Sequence, residues 1–200
     1  MAPPLARPRS FMDAILASIA AVALAEIGDK TQLLAIVLAA RFRRPLPIIA
    51  GILVATLANH FGAAWLGYAA ASLLDGKLFR YAIALSFIAM AAWTLIPDRL
   101  DEKEGAQTGR FGAFLTTLVV FFLVEMGDKT QVATIALGAR FRTVAAVAIG
   151  TTIGMLIANI PAVLAGQALI QRIPLRAVRI VAALLFLGLG VWLLIQTAML

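Results

Sequence analysis

Four carboxylic acids sit where an apolar chain would be expected to carry none. Glu26 and Asp29 lie three residues apart in EIGDKTQ (26–32), and Glu125 and Asp128 repeat the spacing in EMGDKTQ (125–131). Both strings interrupt runs of Ala, Leu, Val, Ile and Phe. On a continuous helix, positions 22, 26, 29 and 33 share a face, so each string would present two carboxylates one turn apart. Gly28 and Gly127, lacking a side chain, permit close backbone approach or a local break that releases carbonyls as further ligands. Four carboxylates with backbone or amide oxygens make a hard environment, suited to Ca²⁺, Mn²⁺ or Mg²⁺ rather than Cu⁺ or Zn²⁺.

The neighbours of the acids have open roles. Lys30 and Lys129 stand four residues after Glu26 and Glu125, where they can form i, i+4 ion pairs, snorkel to the membrane surface, or take part in ion coupling. Thr31, Gln32, Thr130 and Gln131 lie within a turn of the carboxylates; they either add neutral oxygens or hydrogen-bond between helices. His60 and Asn159 occupy equivalent apolar segments, so that one is a candidate proton relay and the other its hydrogen-bonding counterpart, against the plainer role of helix glue. Placing a charge at the centre of a membrane helix costs at least about 2.5–3.5 kcal/mol, which favours function over decoration for the acids.

The elements that must position these residues belong to a membrane protein. Hydrophobic residues make up 62% of the 200-residue chain and mean hydropathy is +0.98, far above the roughly 45–50% apolar content of soluble domains. Six apolar segments of spanning length are expected near 12–40, 46–70, 79–97, 111–139, 144–168 and 177–197. An all-α membrane fold follows. There is no cysteine and a single histidine, which excludes disulfides, thiolate sites and a cysteine nucleophile. The net charge of +7 comes largely from Arg in short loops, the pattern of membrane topology rather than of nucleic-acid binding. Arg7, Arg9 and the apolar run up to Ala25 resemble a signal peptide. However, the second motif is approached in the same way far from any terminus, so the run reads as half of a helix.

The two halves align at a constant offset of 99. From Glu26–Arg43 against Glu125–Arg142, 12 of 18 positions are identical, and Gly51, Gly67, Phe87 and Trp93 recur as Gly150, Gly166, Phe186 and Trp192. Residues 1–97 form one repeat, 111–200 the other, and the charged stretch 98–110 links them. Three spans per repeat is an odd number, so the second repeat enters the membrane inverted relative to the first. Inverted repeats point to a secondary transporter with a midplane site shared between the halves. Loops on the linker side hold nine Lys or Arg against six on the other side, which places the linker in the cytoplasm.

EIGDKT and EMGDKT resemble the E-x-G-D-K-[T/S] signature of a family of small cation/proton exchangers, which includes MneA- and Mnx-type bacterial manganese exporters and eukaryotic Golgi Ca²⁺/Mn²⁺ transporters. The resemblance covers the whole chain, with one motif in each repeat. It implies exchange of Mn²⁺, or Ca²⁺, against protons, with Glu26, Asp29, Glu125 and Asp128 as cation ligands. The metal is then substrate, no cofactor is called for, and the bilayer is the only other partner implied. The short linker fits a bacterial plasma-membrane member. Two other classes suit parts of the pattern. An exporter of small organic solutes such as amino acids shares the three-plus-three plan but has no need of four buried acids. A metal-dependent intramembrane enzyme could use bound metal to activate water, though with one His and no Cys it lacks further catalytic groups. No phosphate-binding loop of an ATP-driven pump is present.

Overall fold

Each E-x-G-D string breaks its helix. In the computed structural model, which describes residues 11–74, 76–97, 112–166 and 174–199, helix α1 (Phe11–Glu26) stops at the first acid and α2 (Lys30–Phe42) starts just after the second. The other half repeats this with α5 (Ala113–Glu125) and α6 (Lys129–Phe141). Gly28 and Gly127 take positive φ, 83° and 79°, the left-handed conformation that ends a helix and that glycine adopts without steric cost. Asp29 and Asp128 follow in extended backbone as the N-caps of α2 and α6, yet neither side chain caps its helix. The α1–α2 pair is bent by 70°. The expectation of two carboxylates one turn apart on an unbroken helix is therefore corrected: each Glu ends one helix and each Asp begins the next.

Among the described residues there are eight α-helices and no strands. The remaining four are α3 (Pro45–Leu73), α4 (Lys77–Thr94), α7 (Val144–Ala165) and α8 (Leu175–Ala198). Six segments were expected; the first and fourth are each split in two by the glycine break. By length and composition α3, α7 and α8 can cross a membrane, and the bent α1–α2 pair counts as a fourth span. The linker expected at 98–110, together with Arg7 and Arg9, lies outside the described residues.

Helices pack chiefly on the opposite half. α1 lies against α7 and its counterpart α5 against α3; α2 meets α7 and α6 meets α3; α3 pairs with α7 and α4 with α8. At the last pair the equivalent rings of Phe87 and Phe186 stack at 6.4 Å between centroids, both fully buried. Glycines bring the backbones into contact. A Cβ on Gly67 would lie 2.0 Å from the Ile135 carbonyl oxygen and one on Gly138 2.4 Å from that of Ala64, which locks α3 to α6. Gly150 and Gly154 do the same for α7 against Ile15 and Ile19 of α1. Small residues at such crossings are how helices associate in lipid, where hydrophobic burial gives no advantage. Gly62, by contrast, faces open space.

The outer surface is apolar. Phe61, Trp65, Leu66 and Leu184 are all more than half exposed, a liability in water and the normal surface in lipid. Overpacking a tight crossing costs about 1–3 kcal/mol. Gly67→Ala is therefore expected to lower the unfolding temperature of the detergent-solubilised protein markedly. Gly62→Ala should leave it unchanged or slightly raised, since alanine is the better helix former by about 0.5–1 kcal/mol.

Candidate cation site

Because the helices break at the motifs, four helix ends converge on the acids. Glu26 and Glu125 are the last residues of α1 and α5; Asp29 and Asp128 are the caps of α2 and α6. The C-terminal end of a helix carries partial negative charge and exposed carbonyls, so a carboxylate placed there raises the demand for a cation.

The structure brings three of the four acids together across the two halves. One carboxylate oxygen each from Glu26, Asp29 and Asp128 lie within 4.8 Å of one another, and all three residues are buried. Glu125, equally buried, is outside this group. Its Oε2 lies 3.1 Å from His60 Nε2, and its Oε1 accepts a long hydrogen bond of 3.5 Å from Thr130 Oγ1. Asn159, the counterpart of His60, lies beside Glu26. Its amide nitrogen donates to the Met155 carbonyl oxygen at 3.1 Å. Both Glu26 oxygens are left without a hydrogen-bonding partner, as is the buried Thr31 hydroxyl. A fully buried carboxylate in that condition calls for a cation or a proton.

The lysines are placed differently from each other. Lys30 Nζ lies 3.4 Å from Asp128 Oδ1, so its ion pair crosses the two halves instead of following the i, i+4 register that the break destroys. Lys129 Nζ donates to the Ile96 carbonyl oxygen at 2.8 Å, near the end of α4.

The glutamines hold the breaks in place. Gln32 Oε1 accepts from the Gly28 N–H at 2.8 Å while its Nε2 donates to the Ala158 carbonyl oxygen at 2.8 Å. Gln131 Oε1 accepts from the Gly127 N–H at 2.7 Å, and its Nε2 donates to Asn59 Oδ1. Each side chain ties its own left-handed glycine to the opposite half, in the manner of a capping box shifted by one residue. Asn59 then reaches on to the Phe122 carbonyl oxygen at 3.3 Å. Sequence reasoning gives an isolated Asn59 little weight. The signal was there in the offset of 99, which sets it opposite Ala158, the other glutamine's acceptor. It missed the Ile96 carbonyl, for which no residue type could have served as a marker.

Buried acids where two broken apolar helices meet define an ion-coupled membrane transporter. The chain belongs to the divalent cation/proton antiporter family: the pattern described as "Divalent cation/proton antiporter GDT1" matches residues 14–102 and 113–199. It is a transporter and not an enzyme, and the metal is its substrate rather than a cofactor. Over 177 residues, 88% of each chain, it is 50% identical to a Vibrio cholerae protein named "Putative manganese exporter". It is 30% identical over 208 residues to GDT1-like protein 3 of Arabidopsis thaliana, covering 91% of this chain and 70% of that one. With GDT1-like protein 5 of the same plant it shares 28% over 219 residues, 91% and 95% of the two chains. No solved structure matches.

Gln32→Leu leaves every carboxylate in place but removes both bonds that fix the first break, and it strands a buried carbonyl at about 1–3 kcal/mol. The expected result is a lower unfolding temperature together with weakened cation binding. Gln32→Glu, which keeps the acceptor for Gly28 and loses the donor to Ala158, should fall between it and the wild type in the same thermal and binding assays.

Proposed function

We propose that this antiporter exports a divalent cation, Mn²⁺ ahead of Ca²⁺, in exchange for protons, through a site built from both E-x-G-D-K-T-Q motifs. The observation that carries the reading is the approach of Glu26, Asp29 and Asp128 across the two halves to within 4.8 Å, with Glu125 as the fourth acid beside them. Oxygen donors alone suit Mn²⁺ and Ca²⁺; Mg²⁺ holds its water more tightly and is disfavoured. The name of the Vibrio cholerae relative favours manganese.

The chain works as six spans in two inverted repeats, residues 1–97 and 111–200, joined by the 98–110 linker on the cytoplasmic face of a bacterial inner membrane. Support comes from the odd number of segments per half, the constant offset of 99 and the helix pairing that persists when the halves are exchanged. Rocking of one repeat against the other would then expose the shared site to each side in turn.

Charge accounting supplies the coupling. Four acids with Lys30 and Lys129 leave two negative charges, which one divalent cation neutralises. When the cation leaves, about two protons restore neutrality and let the carrier return without dragging net charge through lipid. Low pH therefore opposes metal binding, because protons occupy the same oxygens.

Asp29→Asn and Asp128→Asn keep shape and remove charge. Each is expected to cut Mn²⁺ uptake into everted vesicles by at least about tenfold, to a similar extent, with membrane insertion intact; wild-type rates in both variants would end the shared-site reading. Calorimetry of Mn²⁺ binding in buffers of different ionisation enthalpy should show proton release. The affinity should rise with pH, toward about two log units per pH unit where two protons leave per cation. In competition, Ca²⁺ should displace Mn²⁺ better than Mg²⁺ does, and displacement by Zn²⁺ far below the Mn²⁺ concentration would contradict an all-oxygen site.

A further inference from the structure

The two helix breaks are covered unequally. At the first, Leu175, the opening residue of α8, lays its side chain on the backbone, with Cδ2 2.7 Å from where a Cβ on Gly28 would stand. At the second, no described atom lies within 4 Å of the same point on Gly127; Gly127 is exposed and its neighbour Met126 is 57% exposed. The offset of 99 accounts for the difference. The residue matching Leu175 is Gly76, which has no side chain to lay on the second break and faces open space among the described residues.

A second contact follows the same rule. α4 stops at Thr94 and Pro97 follows; proline has no N–H and disfavours helix in the residue before it. The Ile96 carbonyl oxygen, past the helix end, accepts from Lys129 Nζ at 2.8 Å. In the other repeat Gln196 stands where Pro97 does and α8 runs on to Ala198, so the matching Ile195 carbonyl oxygen accepts within its own chain segment, from the Met199 N–H at 3.2 Å. Both contacts, Leu175 on Gly28 and Lys129 on Ile96, join one repeat to the other. In the inverted arrangement proposed above, the end of α4 and the start of α8 lie on the same side of the membrane, that of the linker.

We propose that Leu175 is the closing residue of a gate on the linker side of the cation site, seated on Gly28 and supported by the bond from Lys129 to Ile96, and that the other face has no equivalent closure. This rests on the inverted-repeat antiporter reading: rocking one repeat against the other would part both contacts and open that side. The bare backbone of a glycine lets a branched side chain approach closely, and the apolar fit excludes water from the broken helix beneath. Because these contacts are encoded on one side only, the carrier is biased to stand closed toward the linker and open toward Gly127. For an exporter, a tight closure there stops protons and released cation from running back through the site uncoupled.

The chain has no cysteine, so single introduced cysteines report access cleanly. Ile27 and Met126 are matching positions beside the two glycines, the first half-buried and the second exposed. Each is labelled in membrane vesicles of both orientations with a membrane-impermeant maleimide, and a cysteine at Gln107 in the linker marks the linker face. Met126→Cys should react from the opposite face, and Ile27→Cys should be protected from both. Adding Leu175→Ala should speed labelling of Ile27→Cys from the linker face at least about tenfold, the scale of shift that follows when a packed leucine is cut back. Leu175→Met, which keeps the bulk, should stay within about twofold of the parent. Vesicles carrying Leu175→Ala should also lose an imposed pH gradient faster than wild type with no metal added. Labelling of Ile27→Cys indifferent to Leu175→Ala would overturn the gate. So would Met126→Cys reacting from the linker face or from neither, a comparison that stands even where Leu175→Ala fails to fold. None of these readouts uses metal, so wild-type transport in Asp29→Asn and Asp128→Asn would bring down the cation site separately.

Discussion

A carboxylate taken out of water must find compensating positive charge, and this chain buries four of them in a lipid-facing protein. Isolated, such charges would be prohibitive; gathered, they become a demand that only cations or protons can meet. The surrounding structure serves to gather them. Gly28 and Gly127 stop the helices, which places each acid at a helix end and opens backbone to the site. Gln32 and Gln131 secure the two breaks by bonding them to the other half, and Lys30 supplies one fixed positive charge across the divide.

The breaks would be unstable if the helices could drift apart. What prevents this is the interlocking of the repeats, in which α1, α3, α5 and α7 find their principal partners in the opposite half. In lipid that association depends on close fit, and the glycines at 67, 138, 150 and 154 let backbone meet backbone. Site and scaffold are therefore one construction: the contacts that hold the halves together also bring Asp128 to Glu26 and Asp29.

Near-symmetry with local differences is what the proposed exchange requires. Under that proposal, two copies of one motif in inverted halves would let a common site face either side, while identical halves in identical conformations would favour neither. Here the departures fall on the residues around the acids. Lys30 meets Asp128 whereas Lys129 reaches Ile96, and His60 stands beside Glu125 where the other half has Asn159 beside Glu26. The lysine difference can arise from conformation, since the residues are the same. The His60 and Asn159 difference is written into the chain.

Much could be read before any coordinates. Hydropathy showed a membrane protein, the offset of 99 showed two equivalent halves, and the acid-glycine-acid spacing picked out the acids that the fold buries, because residue type and period depend on local chemistry alone. Even the break was open to inference from Gly28 and Gly127. Three things were decided only by tertiary structure. The glutamines turned out to brace the breaks, since a side-chain amide serves as ligand or as strut according to what lies opposite it, and Ala158 and Asn59 lie 126 and 72 residues away. Lys30 turned to the other half because the break removed the helical register that would have joined it to Glu26. Three of the four acids came within reach of one another and the fourth, Glu125, came to lie beside His60, a matter of ångströms between helices that no spacing along the chain can express.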